Sequence, residues 1–167
     1  MRCGGLIAFL VPLVAITSWA QLFDGATIKG PKVCVADVAN SSGVPIPTDE
    51  LKSHLVDGLR KAQVNAENTY AVTILASTMT ISADNRTVMH RHKCGSMVLS
   101  EVAKAEDNHD ASTQPPILVF NFGLFKKDGT AIRHGTLPVE GGSTPADSAV
   151  VTADKAVPQL SVAATKK

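Results

Sequence analysis

The stretch KVCVADVANSSGVPIPTDELKSHLVDGLRKAQVN, residues 32–65, decides the fold. Val33, Cys34, Val35, Ala36 and Val38 form a nearly continuous apolar run on both faces, which predicts an interior strand covered on both sides, as in α/β sheets. A turn-rich segment with Pro45 and Pro47 ends this strand. Because the remainder has helical spacing, the stretch predicts a strand, a loop and a helix, the first half of a βαβ unit.

The helix of this stretch carries its own start signals and a buried stripe. We expect Thr48 to cap it, with Asp49 and Glu50 adding negative charge to its positive first turn. Lys52 is expected on the exposed face, and Gly58 is expected to let the helix approach the sheet closely. Apolar residues at helical spacing define the stripe that packs inward, namely Leu51, Leu55, Leu59 and Ala62.

The N-terminus has the pattern of a secretory signal. A short positive start, an apolar run over residues 6–16 and small residues before Gln21 predict a signal peptide over residues 1–20, cleaved after Ala20. The apolar run is too short to cross a bilayer, so we expect no membrane span after cleavage. The expected location is therefore periplasmic or secreted.

The rest of the chain is long enough for one domain with a substantial core. We expect residues 21–30 to be a leader segment and residues 31–167 to be a single α/β domain. The formal net charge of the full sequence is +1 and aromatic residues make up 4%. Such a chain has neither the basic surface nor the stacking side chains that nucleic-acid binding requires, so no nucleic-acid partner is expected.

Four further strands and two further helices complete the predicted order. The strands are expected over residues 69–75, 96–103, 117–125 and 130–139. Asp128 and Gly129 predict a hairpin between the last two, and Pro138 indicates that the final strand lies at an edge or ends there. Residues 82–93 fit a short helix better than a strand.

A final helix is predicted from Thr144, with Pro145 in the first helical position and Asp147 placed to complete a capping box. Pro158 should kink or break this helix near Val157, because it removes an amide donor. The expected inward stripe consists of Val150, Ala153, Val157, Leu160 and Ala164.

The predicted fold class is a single α/β domain with a mixed sheet of about five strands, two long helices and one short one, in the order β-α-β-(α)-β-β-β-α. Three stretches carry a family resemblance: KVCVADVANSSG, KCGSMVLSEVAKAE and LFKKDGTAIRHG. With them, the chain resembles the α/β domain shared by the curli-secretion lipoprotein, the N-terminal domain of the Tol periplasmic protein and the lipoprotein activators of penicillin-binding proteins. The resemblance implies a binding or assembly module without a cofactor, whose partner is another envelope protein. The chain lacks a lipid-anchor cysteine after its apolar run, so membrane anchoring is not carried over.

Two cysteines remain after signal cleavage, Cys34 and Cys94. In an oxidising compartment they could form a disulfide, and their apolar neighbours would equally suit two buried thiols. Either arrangement predicts that the native protein has no reactive thiol.

One cluster of side chains suggests chemistry. On a strand, His90, His92 and Cys94 would share one face and offer three ligands to zinc or copper. On a helix, residues two positions apart diverge and the cluster does not form. A small metal-dependent enzyme or metal-binding protein is therefore an alternative function, and a periplasmic ligand-binding domain is another.

The last strand is the most promising surface for a partner. It combines Arg133 and His134 with Leu137 and Val139, a mixture that suits pairing of a sheet edge with another chain. The competing interpretation is an ordinary edge strand that charge and proline protect from aggregation. The favoured function is an exported, non-enzymatic protein-interaction module of the bacterial cell envelope.

Overall fold

In a computed structural model, the described residues are 28–70, 81–105, 118–139 and 144–165. They form one α/β domain with a five-stranded mixed sheet and three helices, in agreement with the predicted fold class. In chain order the elements are β1 (Val33–Asn40), α1 (Thr48–Lys61), β2 (Ala66–Asn68), α2 (Ala83–Arg91), β3 (Ser96–Lys104), β4 (Leu118–Lys126), β5 (Ala131–Pro138) and α3 (Pro145–Thr165). The predicted signal peptide and most of the leader segment lie outside the described residues.

The strand order in the sheet is β2-β1-β3-β4-β5. β1 pairs in parallel with both β2 and β3, whereas β3, β4 and β5 pair antiparallel in sequence. Within the described residues, β1 is therefore an interior strand and β5 an edge strand, as the apolar run and Pro138 predicted. The hairpin predicted at Asp128 and Gly129 joins β4 to β5.

The two faces of the sheet are packed differently. α1 and α3 cover the first face, where the core is built from β-branched and aromatic side chains of the strands and small or aliphatic side chains of the helices. A smaller apolar cluster on the second face includes Met89 of α2 and Met97 of β3, together with both cysteines. The larger core therefore lies between the sheet and its two long helices.

α1 begins one residue earlier than the sequence predicts, because Thr48 is inside the helix and is not its cap. Thr48 is the first helical residue, and Pro47 occupies the N-cap position without a side-chain capping bond. The amide of Leu51 donates to the carbonyl oxygen of Pro47 at 3.0 Å, which is the first hydrogen bond of the helix. Asp49 and Glu50 lie in the first turn, as predicted.

The buried stripe of α1 is confirmed for Leu51, Leu55 and Leu59 and wrong for Ala62, which is exposed after the helix ends. The prediction that Lys52 is exposed is also wrong, since it retains only 7% of its accessible surface. Its ammonium group is buried because it donates hydrogen bonds to two oxygen atoms beside β1. Helical periodicity alone therefore predicted the wrong environment for this side chain.

Gly58 does allow a close approach, but to α3 and not to the sheet. A Cβ atom added at Gly58 would lie 2.5 Å from Cγ2 of Val157. Such a distance is far shorter than van der Waals contact, so a larger residue would push the two helices apart. Gly58 therefore sets the spacing between α1 and α3.

The strand that follows α1 is earlier and shorter than predicted. Gln63 adopts a left-handed conformation, with φ 62°, and ends the helical segment. The chain then pairs with β1 at once, in the register Val33 opposite Ala66. This pairing depends on tertiary contact, because Ala-Glu-Asn has little intrinsic strand preference. Residues 69 and 70 are not strand, and the predicted residues 71–75 lie outside the described part of the chain.

α2 confirms the helical interpretation of the segment before β3. The side chain of Ser82 accepts a hydrogen bond from the amide of Asn85 at 3.1 Å and caps the helix. His92 is the C-cap residue, and Lys93 follows with φ 57°. The chain thus turns sharply between α2 and β3.

α3 begins with the predicted capping box. The amide of Thr144 donates to Oδ2 of Asp147 at 2.9 Å, and the amide of Asp147 donates to Oγ1 of Thr144 at 3.1 Å. The helix does not break at Pro158, which lies on its exposed side, so water can satisfy the carbonyl that loses its donor. Ala153 and Leu160 of the predicted stripe are buried, and Val150, Val157 and Ala164 are half-buried.

Candidate interaction edge of the sheet

The structure does not bring His90, His92 and Cys94 together as metal ligands. Cys94 forms a disulfide with Cys34, so its sulfur is not a free thiolate. Nδ1 of His92 lies 2.9 Å from Oε1 of Glu67. Within the described residues, no group of three potential ligands converges on one point. Residues 83–91 form a helix, so the strand on which these three side chains would share one face is not present.

The disulfide joins the first strand to the turn that precedes the third. The Cα atoms of Cys34 and Cys94 are 5.8 Å apart, and both residues are fully buried. Their neighbourhood follows from the parallel register of β1 and β3, in which Val33 lies opposite Ser96. Of the two arrangements that the sequence allows, the structure has the bridged one.

A surface ionic cluster links β2 to its surroundings at the same end of the sheet. The carboxylate of Glu67 lies 2.5 Å from Nζ of Lys32 and 2.9 Å from Nδ1 of His92. Hydrogen bonds from Lys32 and then from His92 lower the pKa of Glu67 below its ordinary value of 4.5. The cluster ties α2 to the strand that lies at this edge.

A second ionic contact lies deeper. Nζ of Lys52 donates to Oδ1 of Asp37 at 2.6 Å and to the carbonyl oxygen of Thr69 at 3.0 Å. The ammonium also lies 5.1 Å from the ring centroid of Tyr70. These contacts connect α1, β1 and the segment after β2, which accounts for the burial of Lys52.

The four residues predicted to form a partner-binding edge divide between two environments. Arg133 and His134 are exposed, and Nη2 of Arg133 donates to Oε1 of Gln159 on α3 at 3.0 Å. Leu137 and Val139 are half-buried against the main core. The apolar members therefore hold β5 to the domain, and the polar members face outward.

The backbone of β5 presents hydrogen-bonding groups at its outer edge. The amide of Val139 donates to the carbonyl oxygen of Leu118 at 2.9 Å, which fixes the alternation of bonded pairs between β4 and β5. Counting along the register, the amides and carbonyls of His134 and Thr136 point away from β4. Pro138 falls in the same outward set, so its missing amide costs no bond to β4. Among the described residues, β5 has no strand on that side.

A groove runs beside this edge, between β5 and α3. Its volume is about 380 Å³, and its walls are Ile132, Arg133, Pro158, Gln159, Val162 and Ala163. Val162 is 56% exposed, which is unusual for a large apolar residue of this domain. We did not predict the α3 wall, because helical periodicity treats Pro158 and Val162 as ordinary surface positions. The signal in the sequence was Val162 itself, an apolar residue outside the predicted buried stripe and one helical turn after Pro158.

None of the described helices is long and apolar enough to cross a membrane. No protein-family profile matches the chain, and no curated protein matches it in sequence. The comparison with solved structures, in contrast, finds proteins of similar fold.

The chain is similar to the PelC dodecamer from Paraburkholderia phytofirmans, with a TM-score of 0.54, 17% sequence identity, and coverage of 83% of this chain and 90% of PelC. It is also similar to the lipoprotein GNA1162 from Neisseria meningitidis, with a TM-score of 0.51, 12% identity, and coverage of 80% of this chain and 99% of GNA1162. At these identities the likeness shows the fold alone. At that level it agrees with the resemblance to bacterial envelope α/β proteins.

Proposed function

We propose that this chain is an exported, non-enzymatic protein-interaction module of the bacterial cell envelope. Its interaction surface is the outer edge of β5 together with the groove between β5 and α3, which we name the β5 surface. The observation that carries the proposal is the set of outward backbone groups at His134 and Thr136 beside that groove. An extended segment can add to such an edge through main-chain hydrogen bonds, while the groove receives a side chain.

Two further observations support the compartment. The apolar run and small residues that end at Ala20 have the form of a secretory signal. The disulfide between Cys34 and Cys94 is a feature of oxidising compartments such as the periplasm. If the chain is exported as proposed, the mature protein begins at Gln21, and mass spectrometry of protein from the periplasmic fraction measures this directly.

The side chains that suggested chemistry favour a binding role. Of the three candidate metal ligands, Cys94 is bridged to Cys34 and His92 contacts Glu67, so two of them have a structural partner. PelC, a protein of this fold, assembles as a dodecamer according to its structure. Assembly through protein contacts is therefore one known use of the architecture, and we extend it to this chain.

Site-specific photo-crosslinking tests the proposed surface. A photoreactive residue replaces His134 at the β5 edge in one variant and Asp57, an exposed residue of α1, in a matched control. Both variants are produced as the full chain in cells that contain its native envelope proteins. We expect a crosslinked protein product of defined mass from position 134 and none of that mass from position 57. Identical products from both positions, or none from either, would contradict the proposal.

A further inference from the structure

We infer that the partner at the β5 surface is a second copy of this chain. The two β5 strands pair antiparallel about a two-fold axis that passes beside Gly135, and the two sheets become one continuous sheet. This inference rests on the proposed function, since it takes the β5 surface as the interaction site and specifies what occupies it.

The hydrogen-bonding groups of the edge are complementary to themselves. With Gly135 at the axis, His134 lies opposite Thr136 of the second copy, and Thr136 lies opposite the second copy's His134. All four residues have outward amides and carbonyls, so each opposed pair exchanges two hydrogen bonds. The pairing thus uses every outward amide of both residues in both copies.

Pro138 disfavours the neighbouring register on one side. If the axis moved from Gly135 to Thr136, His134 would lie opposite Pro138 of the second copy. Proline has no amide, so the outward carbonyl of His134 would lose its donor in both copies. In the register centred on Gly135, Pro138 instead lies opposite Ile132, which the register shift in β5 already leaves out of regular pairing. The missing amide then falls at the end of the paired segment and not inside it, so this register is preferred.

Gly135 suits the position at the axis. A Cβ atom added there would lie 2.7 Å from Cζ of Phe122, because the ring of Phe122 packs under the glycine. The site therefore excludes side chains for a reason internal to the domain. In consequence, the β5 backbones of the two copies can approach each other at the axis, because neither Gly135 has a side chain on the face of the sheet that Phe122 covers.

The charges of β5 are compatible with this pairing. Arg133 and His134 are its ionisable residues, and the strand has no acidic side chain. In the proposed register His134 faces Thr136, and Arg133 faces Leu137 of the second copy. No charged side chain lies directly opposite a like charge, which would otherwise destabilise the pair.

The groove completes the fit. A two-fold axis perpendicular to the sheet places both α3 helices on the same face, beside the junction. Because Arg133 lines the groove and faces Leu137 of the second copy, that leucine lies at the groove mouth, near the exposed Val162. Leu137 is half-buried in its own domain, so only its exposed part meets the groove of the other copy, and the two-fold axis repeats this contact, as an isologous interface requires.

The first test removes one outward amide without changing the pairing of β5 with β4. Thr136→Pro deletes the amide that faces the second copy, and Thr136→Val keeps it while losing the hydroxyl that bonds Asn121 at 2.8 Å. We expect the mature protein to form a dimer in sedimentation equilibrium. Thr136→Pro should weaken dimerisation at least about ten-fold, and Thr136→Val less than about three-fold. Circular dichroism confirms that both variants are folded.

The second test reads the register. The Cα atoms of an opposed hydrogen-bonded pair lie about 5.5 Å apart, within the range of a disulfide, whereas diagonal neighbours lie about 7–8 Å apart. His134→Cys and Thr136→Cys proteins are therefore oxidised separately and as an equal mixture. We expect an intermolecular disulfide in the mixture and little in either protein alone.

Three outcomes would overturn the inference. They are a monomer at all concentrations, an oligomer that Thr136→Pro leaves intact, and equal oxidation in all three cysteine samples. A monomer that still crosslinks to another envelope protein from position 134 would overturn the self-pairing alone and leave the proposed function standing. Loss of both the dimer and the crosslink would overturn the two proposals together.

Discussion

The two ends of the sheet are built in opposite ways. At the β2 end, which comprises β1, β2, α1 and α2, the edge strand has three residues, and a disulfide and three ion pairs bind the elements together. At the β5 end, which comprises β4, β5 and α3, the edge strand has eight residues, and its outward amides have no strand beside them in the described part of the chain.

This difference indicates a division of roles. The disulfide and the ion pairs tie the elements of the β2 end to one another, so we expect it to be the more rigid end of the domain. The β5 end keeps its polar backbone groups accessible, which is a liability for an isolated protein and an advantage for one that pairs with a partner.

Loss of the disulfide should have the largest effect. The cysteines are 60 positions apart, and the chain-entropy relation gives roughly 4 kcal/mol for a loop of that length. We expect the Cys34→Ala/Cys94→Ala double variant to lose about this much free energy of unfolding in urea titrations. Reduction of the unmodified protein should give the same loss. Unchanged stability in both cases would show that the β2 end does not depend on the cross-link.

Truncation of a core side chain beneath α1 should have the second-largest effect on stability. Leu55→Ala removes a fully buried side chain and should cost about 2–5 kcal/mol in unfolding free energy. Leu137→Ala at the β5 end removes a half-buried side chain, so we expect roughly half that loss. Thermal denaturation of the two variants at a protein concentration that keeps both monomeric measures the difference. Equal losses would mean that the two ends are equally well packed.

Lys52 provides an intermediate case. Lys52→Met keeps the apolar stem and removes the donor to Asp37 and Thr69, with an expected cost of about 1–3 kcal/mol. Lys61→Met, at an exposed position of the same helix, should change stability by less than about 0.5 kcal/mol. A double-mutant cycle with Asp37→Asn isolates the ion pair. Equal effects at the two lysines would contradict the burial of Lys52.

The smallest effect should come from Glu67. Its pKa is lowered in the folded protein, so its contribution to stability is present above pH 4.5 and is lost as the pH falls through the lowered folded-state value. Because the pairs are partly exposed, Glu67→Gln should cost about 0.2–1 kcal/mol at pH 7. Melting curves between pH 7 and pH 3 should show this difference shrinking. If the difference in stability between the unmodified protein and Glu67→Gln grew as the pH fell, the lowered pKa of Glu67 would be contradicted.

Local patterns predicted much of the fold. Leucine spacing identified the buried face of α1, Thr144 and Asp147 identified the start of α3, and Pro138 identified the edge strand. Each of these features depends on residues close in sequence or on a property of one residue. Local chemistry is sufficient in such cases.

The features that the sequence did not predict correctly depend on contacts between residues far apart along the chain. Lys52 is buried because Asp37 lies beside it in space, and β2 forms because Ala66 comes opposite Val33. Gly58 was expected to touch the sheet, yet it touches Val157, which is about a hundred positions away along the chain. The groove beside Val162 likewise requires α3 to lie against β5. Spacing along the chain contains no information on these long-range contacts.

Hydrogen exchange at single-amide resolution tests the central claim most directly. The mature protein is compared below and above the concentration at which it associates. We expect the amides of His134 and Thr136 to exchange rapidly in the dilute protein and to become protected on association, while the inward amides of Gly135 and Leu137 are protected in both. Protection of His134 and Thr136 that is the same at both concentrations would contradict the pairing of β5 with a second copy of the chain.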